Sequence, residues 1–304
     1  MVKLAMPVSQ TLTAINEARE SAQESRRSRR MGGSTIGDPC DRKLWYAFRW
    51  ALPAERHDAR TLRLFQTGHW EEERLLNDLR LAGVSVFGEQ DEAELCGGHF
   101  VAKIDAMASG VIEAPKAVHI VECKTHNAKS FAALERSGVQ ESKPMHFAQM
   151  QIYMHAFKLD RALYIAVNKD TDALYVERIK LDPEAVHRLE QKALRIIEAD
   201  RAPPRIALDA DSFSCRFCRY ASMCHDEDAA ERNCRTCLHV TPVMNDGGWH
   251  CAAHGKMLTP EEQDAGCGDH RYLPDLVPGE QIDVDGGIVV YRMRDGSEWR
   301  DGDA

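Results

Sequence analysis

Six polar residues are spaced so that together they could act on a phosphate: Glu72, Asp105, Glu122, Lys124, Gln149 and Tyr153. Asp105 falls in the segment HFVAKIDAMA, and Glu122 and Lys124 fall in AVHIVECKT; the two segments read as neighbouring β-strands. Side chains alternate along a strand, so the acid on one strand and the acid and lysine on the next are predicted on one face. Two convergent carboxylates make a hard-oxygen site suited to Mg²⁺ or Mn²⁺. The bland alternative is a set of surface carboxylates on strand edges. Ile120, Val121 and Cys123 argue against it, since they imply a buried strand, where charge is uncommon unless paired or metal-bound. Cys123 points to the opposite face and reads as a small core residue, as does Cys96.

Several elements must position these groups. Residues 9–30 are polar with helical spacing and read as a loosely held leading helix. DRKLWYAFRWAL reads as a helix with an aromatic face, and a long helix from about Asp58 to Leu81 carries GHWEEERLLNDL. Short strands are expected near 84–88 and 92–96, followed by the two site strands. PMHFAQMQIYMHAFKL reads as a helix opening with proline in its first turn. Gln149 and Tyr153 then share a face, with His146 near it. RALYIAVNKDTDALYVERIKL reads as a hairpin turning at 168–172, and LDPEAVHRLEQKALRIIEAD as an amphipathic helix. Beyond Pro203 and Pro204 the sequence turns cysteine-rich and loop-like, and from about Gly279 it reads as a small β-hairpin.

The chain has 304 residues, 43% hydrophobic and 29% charged, which suits one large domain or a core with a small appendage. No apolar run approaches a membrane span, and the N-terminus lacks a signal peptide's apolar region, so a cytoplasmic protein with no membrane partner is expected. The net charge of −9 argues against a generally basic nucleic-acid binder. Arg26, Arg27, Arg29 and Arg30 form the densest basic cluster, either a local DNA path or a solvated, mobile arm.

Seven of the ten cysteines fall between Cys215 and Cys267. In a reducing compartment such crowding points to metal rather than disulfides. Cys215, Cys218 and Cys224 form a compact group with Cys40 far upstream; four thiolates fit either [4Fe-4S] or structural zinc, and spacing does not decide. Cys234, Cys237, Cys251 and Cys267 resemble a zinc ribbon or knuckle, with His250 and His254 nearby. The all-cysteine set leaves no cysteine idle, although His254 could replace one of them.

The set Gly68 with Glu72, Ile104-Asp105, Glu122-Cys123-Lys124 and Gln149 with Tyr153 resembles the PD-(D/E)XK nuclease superfamily, in particular its RecB-like exonuclease branch. A lone D…ExK is a weak signal; four motifs in order, on a helix, two strands and a helix, are a strong one. The cysteine pattern looks like the iron–sulfur nucleases, among them the AddB nuclease domain and the CRISPR-associated RecB-like exonucleases, in a phage or bacterial stand-alone form. The resemblance implies an α/β fold with a restriction-endonuclease-like mixed central sheet flanked by helices. It implies Mg²⁺ or Mn²⁺ held by Asp105 and Glu122, with the Cys123 carbonyl a further ligand and Lys124 orienting water or stabilising charge. Glu72 stands where the branch commonly has histidine, and His69 beside it is the alternative ligand. Gln149 and Tyr153 contact the DNA backbone or steady the active site. Cys40, Cys215, Cys218 and Cys224 are assigned to a [4Fe-4S] clip, and Cys234, Cys237, Cys251 and Cys267 to zinc.

The expected organisation is an N-terminal helical arm (1–30), a nuclease domain with the cluster (31–230), a zinc module (231–275) and a β-hairpin tail (276–304). The expected function is a divalent-metal-dependent DNA exonuclease in recombination, repair or end processing, with DNA ends or single strands as partner and a recombination or replication protein as a further one. The rivals are a catalytically weak DNA-end-binding or scaffolding subunit and an iron–sulfur redox protein; the latter leaves the ExK set unexplained.

Overall fold

The computed structural model describes residues 9–24, 27–225 and 228–302, so Arg26 of the basic cluster lies outside it. Helix α1 (Gln10–Ser21) is capped by Ser9 and packs on α3. A short strand β1 (Met31–Gly32) leads to α2 (Asp41–Phe48) and to α3 (Ala59–Leu81), whose first turn is closed by Asp58 Oδ1 accepting from the Thr61 N–H at 2.7 Å. Five strands follow: β2 (Ser85–Phe87), β3 (Glu92–Leu95), β4 (Phe100–Lys103), β5 (Ala106–Ser109) and β6 (His119–His126). Next come α4 (Ala128–Ser142), α5 (Pro144–Ala156), β7 (Arg161–Asn168), β8 (Leu174–Lys180) and α6 (Pro183–Glu198). Helix α4 was not anticipated. It is interrupted at Gly138, whose φ of 69° suits glycine, and the Val139 N–H there donates to Glu177 Oε2 at 2.8 Å.

The central sheet has the order β2-β5-β6-β7-β8, parallel only between β6 and β7. It is therefore a mixed α/β sheet. Its faces are both covered, which is why β6 reads as a near-continuous apolar run interrupted by charge. Val121, Cys123, Leu163 and Ile165 pack against Leu75 and Leu76 of α3, while Ile120, Ala162 and Tyr164 join the cluster containing Met150, Ile152 and Tyr153 of α5.

The segment HFVAKIDAMA is not one strand. β4 pairs with β1 and β3 in a separate small sheet, and β5 enters the central one. At the break, Ile104 N–H donates to Asp91 O and Gln90 N–H donates to Asp105 O, both at 3.1 Å, so these backbone groups are paired with the turn before β3 instead of a ladder. Asp105 thus sits at a switch between sheets.

Beyond the short α7 (Ala221–Cys224), β9 (Val240–Val243), β10 (Gly248–Cys251), β11 (Lys256–Leu258) and α8 (Pro260–Ala265) form the cysteine-rich appendage. The tail is a three-stranded meander of β12 (Gly279–Asp285), β13 (Ile288–Met293) and β14 (Glu298–Asp301), one strand more than the expected hairpin. The expected boundary near residue 231 is not a break in the core: Cys234, Val240, Trp249 and Leu258 belong to the same apolar cluster as Trp45, Phe48 and Tyr164. Arg235 is the reason. Its guanidinium lies 3.8 Å from the Trp50 ring centre and 4.6 Å from that of Trp249. It donates to Phe48 O, Arg29 O and Gln263 Oε1 at 3.2, 3.0 and 3.0 Å.

Two of the three described arginines of the basic cluster are held in ion pairs, while Arg29 stays exposed, 4.0 Å from Glu261. Arg27 is paired with Glu231 and Asp264, and Arg30 with Glu92 and Glu94, so these cations clasp the chain's own acids. The leading helix accordingly ends at Ser21, short of them.

Replacing Arg235 removes both the ring contacts and the donors to three acceptors, two of them buried. Arg235→Ala is expected to lower stability by about 3 kcal/mol, read as a fall in urea midpoint with little change in slope.

Candidate active site

β6 carries Glu122, Lys124 and His126 on one face by strand alternation, and α5 lays His146, Gln149 and Tyr153 against it at helical spacing. The opposite wall is α3, with Gly68, His69 and Glu72. Between them opens a cleft of about 660 Å³ lined also by Asp105, Cys123, Lys124, His126, Ser130, Lys143 and His146. All of the sequence-predicted catalytic residues converge on this cleft or on the layer directly beneath it.

The pairing of Ala106 with Val121 continues to set Asp105 across from Glu122. Asp105 Oδ2 accepts from the Cys123 N–H at 2.8 Å. Glu72 Oε1 accepts from Gln90 Nε2 at 2.7 Å. Glu122 has no solvent exposure; its Oε1 is paired with Lys124 Nζ, and its Oε2 has no partner among the described residues. Gln149 Nε2 donates to Tyr153 OH at 3.0 Å, and both side chains are buried, so they do not face water as an ordinary amphipathic helix would have them. A Cβ at position 33 would lie 2.7 Å from Tyr153 Cε1, so Gly33 lets the preceding loop close on that ring.

The electrostatics call for a cation. Burial pushes the Glu122 carboxyl up to about 7; Lys124 opposes this and Asp105 adds to it. Burial raises Asp105 against the pull of Lys124, and burial followed by Asp105 raises Glu72. Lys124 is also raised: burial opposes its charge, but Glu122 and Asp105 outweigh it. Both partners of the pair rise because one quarter-exposed ammonium answers two carboxylates, whereas the fully buried Glu122 carboxylate has only that one cation. Three mutually repelling acids around an unpartnered buried oxygen fit a hard divalent ion.

Sequence reasoning missed Tyr164, Ser130, Lys143 and His126. Tyr164 lies beside Glu122 only because β6 and β7 pair in that register, which no local pattern reports. His126 follows Lys124 by two residues on the same face, a signal that strand periodicity did offer.

Both cysteine groups gather. Cys40, Cys215, Cys218 and Cys224 line one cavity of about 320 Å³ with Asp38, Lys43 and Arg205. Cys40 caps α2, its Sγ accepting from the Lys43 N–H at 3.4 Å. Cys234, Cys237, Cys251 and Cys267 line another of about 290 Å³ together with His254. There His254 Nε2 is 3.5 Å from Cys267 Sγ, and these two with Asp269 bring one ligand atom each within 4.8 Å of one another. Cys234 is pushed up to about 11 by burial and then by Cys267, Cys237 and Cys251. His250 does not line the cavity.

A carboxyl that ordinarily ionises near 4.5 but near 7 in the fold binds its proton more tightly folded than unfolded. Its burial therefore costs nothing below that window and costs stability as pH rises through it. In cation-free protein Glu122→Gln is expected to raise Tm by about 2–4 °C at pH 8 and leave it unchanged at pH 4. The same substitution should remove any stabilisation that Mg²⁺ gives the wild type, with thermal unfolding in chelator and in Mg²⁺ as the check.

No curated protein matches the chain in sequence. Among solved structures it is similar to an alkaline exonuclease from Laribacter hongkongensis, at 15% identity over 60% of this chain and 90% of that one, with a TM-score of 0.42. It is likewise similar to a phage-related exonuclease from Haemophilus somnus 129PT, at 12% identity over 55% of this chain and 91% of that one, with a TM-score of 0.42. A family model, that of the PD-(D/E)XK nuclease superfamily, matches residues 8–225. That match takes in the sheet, the acids and Lys124 together, and the chain belongs to the PD-(D/E)XK nuclease superfamily.

Proposed function

We propose that the protein is a divalent-metal-dependent DNA exonuclease that hydrolyses phosphodiester bonds in recombination, repair or end processing in a bacterial or phage-infected cytoplasm. The observation that carries this reading is the Oε2 of buried Glu122, unpartnered among the described residues, directly beneath an open cleft that Asp105, Glu72 and Lys124 line. Asp105, Glu122 and Glu72 are assigned as ligands of Mg²⁺ or Mn²⁺, with the Cys123 carbonyl as a further one. His69 is the alternative to Glu72. Glu72 is preferred because Gln90 holds its carboxylate and because Asp105 acts on its ionisation. Such an ion supplies an activated water and offsets charge developing on the phosphate. Lys124 orients the attacking water or stabilises that charge, and its pairing with Glu122 sets the ammonium in the cleft. Gln149 and Tyr153, joined by a buried hydrogen bond on α5, contact the DNA backbone or steady the active site. The presence of all the expected acids and of Lys124 counts against the scaffold alternative.

The cysteines at Cys40, Cys215, Cys218 and Cys224 are assigned to a [4Fe-4S] cluster with a structural role, tying the start of the nuclease region to its end across a very long loop. Burial and then neighbouring groups, Cys40 among them, raise the Cys218 and Cys224 thiols, a repulsion that a bound cationic centre relieves. Cys234, Cys237, Cys251 and Cys267 are assigned to zinc, with His254 the alternative to Cys267.

End-labelled single- and double-stranded DNA incubated with Mg²⁺ or Mn²⁺ should be degraded by the wild type, and Lys124→Ala should be slower by at least about 100-fold. Equal cleavage by the two proteins overturns the assignment of the site. Anaerobically purified protein should be brown and Cys218→Ser colourless; a colourless wild type holding only zinc overturns the cluster.

A further inference from the structure

In the cleft that Lys124 lines, four side chains form one continuous hydrogen-bonded chain. Ser130 Oγ lies 3.1 Å from His126 Nδ1, His126 Nε2 lies 2.8 Å from Tyr164 OH, and Tyr164 OH lies 2.9 Å from His146 Nδ1. The three rings are near-parallel, with interplanar angles of 26–28°. His126 is buried, and β6, α4, β7 and α5 each contribute a member, so the geometry is set by four separate elements. His146 Nε2 has no partner among the described residues, and His146 lines the cleft with Lys124 and Lys143.

We infer that His146 is a substrate-contacting residue whose Nε2–H donates to a phosphate oxygen of the bound strand, and that Ser130, His126 and Tyr164 are positioning residues that fix its ring and tautomer. The inference rests on the nuclease reading of this cleft. A tyrosine hydroxyl has one hydrogen and sits between two imidazole nitrogens, so it donates to one and accepts from the other. A chain of this kind can run in either direction. An anionic oxygen at the open end selects the direction in which Ser130 donates to His126, His126 to Tyr164 and Tyr164 to His146 Nδ1, leaving the hydrogen of His146 on Nε2. No proton is gained or lost. Burial and then Lys124 hold His146 down to about 3, and burial with Lys143 and Lys124 hold His126 down to about 4, so both rings remain neutral donors and acceptors. The neutral imidazole gives a directional contact where Lys124 and Lys143 give point charges.

The test combines binding of a fluorescent single-stranded oligonucleotide in Ca²⁺ with imidazole ¹⁵N spectra of the full chain. Addition of the oligonucleotide should put His146 in the Nε2–H tautomer and move its Nε2 resonance. His146→Ala should weaken binding about tenfold. His146→Gln, whose amide can occupy the Nε2 position, should restore most of it, whereas His146→Asn should not. Tyr164→Phe should leave the wild-type fold by circular dichroism but lose the fixed tautomer. If the wild type binds and cleaves DNA while His146→Ala binds as tightly, or while the tautomer is indifferent to the oligonucleotide, the inference falls and the nuclease reading stands. If the wild type neither binds nor cleaves, both fall.

Discussion

A carboxylate with no solvent exposure, on the central strand of a covered sheet, is the constraint around which the functional half of this molecule is arranged. Glu122 cannot ionise there without help, because burial alone pushes its carboxyl toward neutrality. Lys124, two residues along the same face, answers one oxygen and leaves the other open. Asp105 arrives opposite through the sheet switch, and Glu72 arrives from α3. Each added acid makes the cluster less stable by itself and better suited to a divalent ion. Instability of the empty site and affinity of the filled one are the same electrostatic fact.

The second half of the molecule is organised by buried cations instead. Arg49 and Arg235 are each about 2% exposed, and among the described residues no carboxylate hydrogen-bonds either guanidinium. Main-chain carbonyls, the Gln263 amide and the faces of Trp45, Trp50 and Trp249 take the place of acids. Arg49 donates to the carbonyl of Arg235 itself and to that of Val240 at 3.4 Å, so the two cations bridge the nuclease region and the appendage. A cation held by dipoles and rings stays satisfied without a counter-ion, but only while both parts are folded together. This is why the cysteine-rich appendage shares the core of the region before it. Arg27 reinforces the joint by pairing with Glu231 and Asp264 across the same seam.

Much of the site was legible in the sequence. Period-two spacing placed Glu122 and Lys124 on one face, and helical spacing placed Gln149 and Tyr153 together. The cysteines at Cys40, Cys215, Cys218 and Cys224 line one cavity, and those at Cys234, Cys237, Cys251 and Cys267 line another. Other readings failed for identifiable reasons. HFVAKIDAMA is apolar enough to be one strand, yet its backbone at Ile104 and Asp105 finds partners in a turn fourteen or so residues upstream. The arginines before β1 look like a solvated run until acids from three distant stretches meet them. The module expected at 231–275 shares its apolar cluster with residues around Trp45, a contact between stretches far apart in the chain.

The division follows from range. What the sequence by itself determined is what strand alternation, helical pitch and ligand spacing encode within a few residues: the acids and lysine of β6, the polar stripe of α5, the paired cysteines and the superfamily they resemble. Only the tertiary structure decided that Asp105 reaches Glu122 by changing sheets, that Tyr164 lies beside Glu122 and between two histidines, and that Arg235 locks the appendage into the core. Those placements depend on strand register and on packing between elements far apart in the chain, where the energy comes from burying groups together and no local period records it.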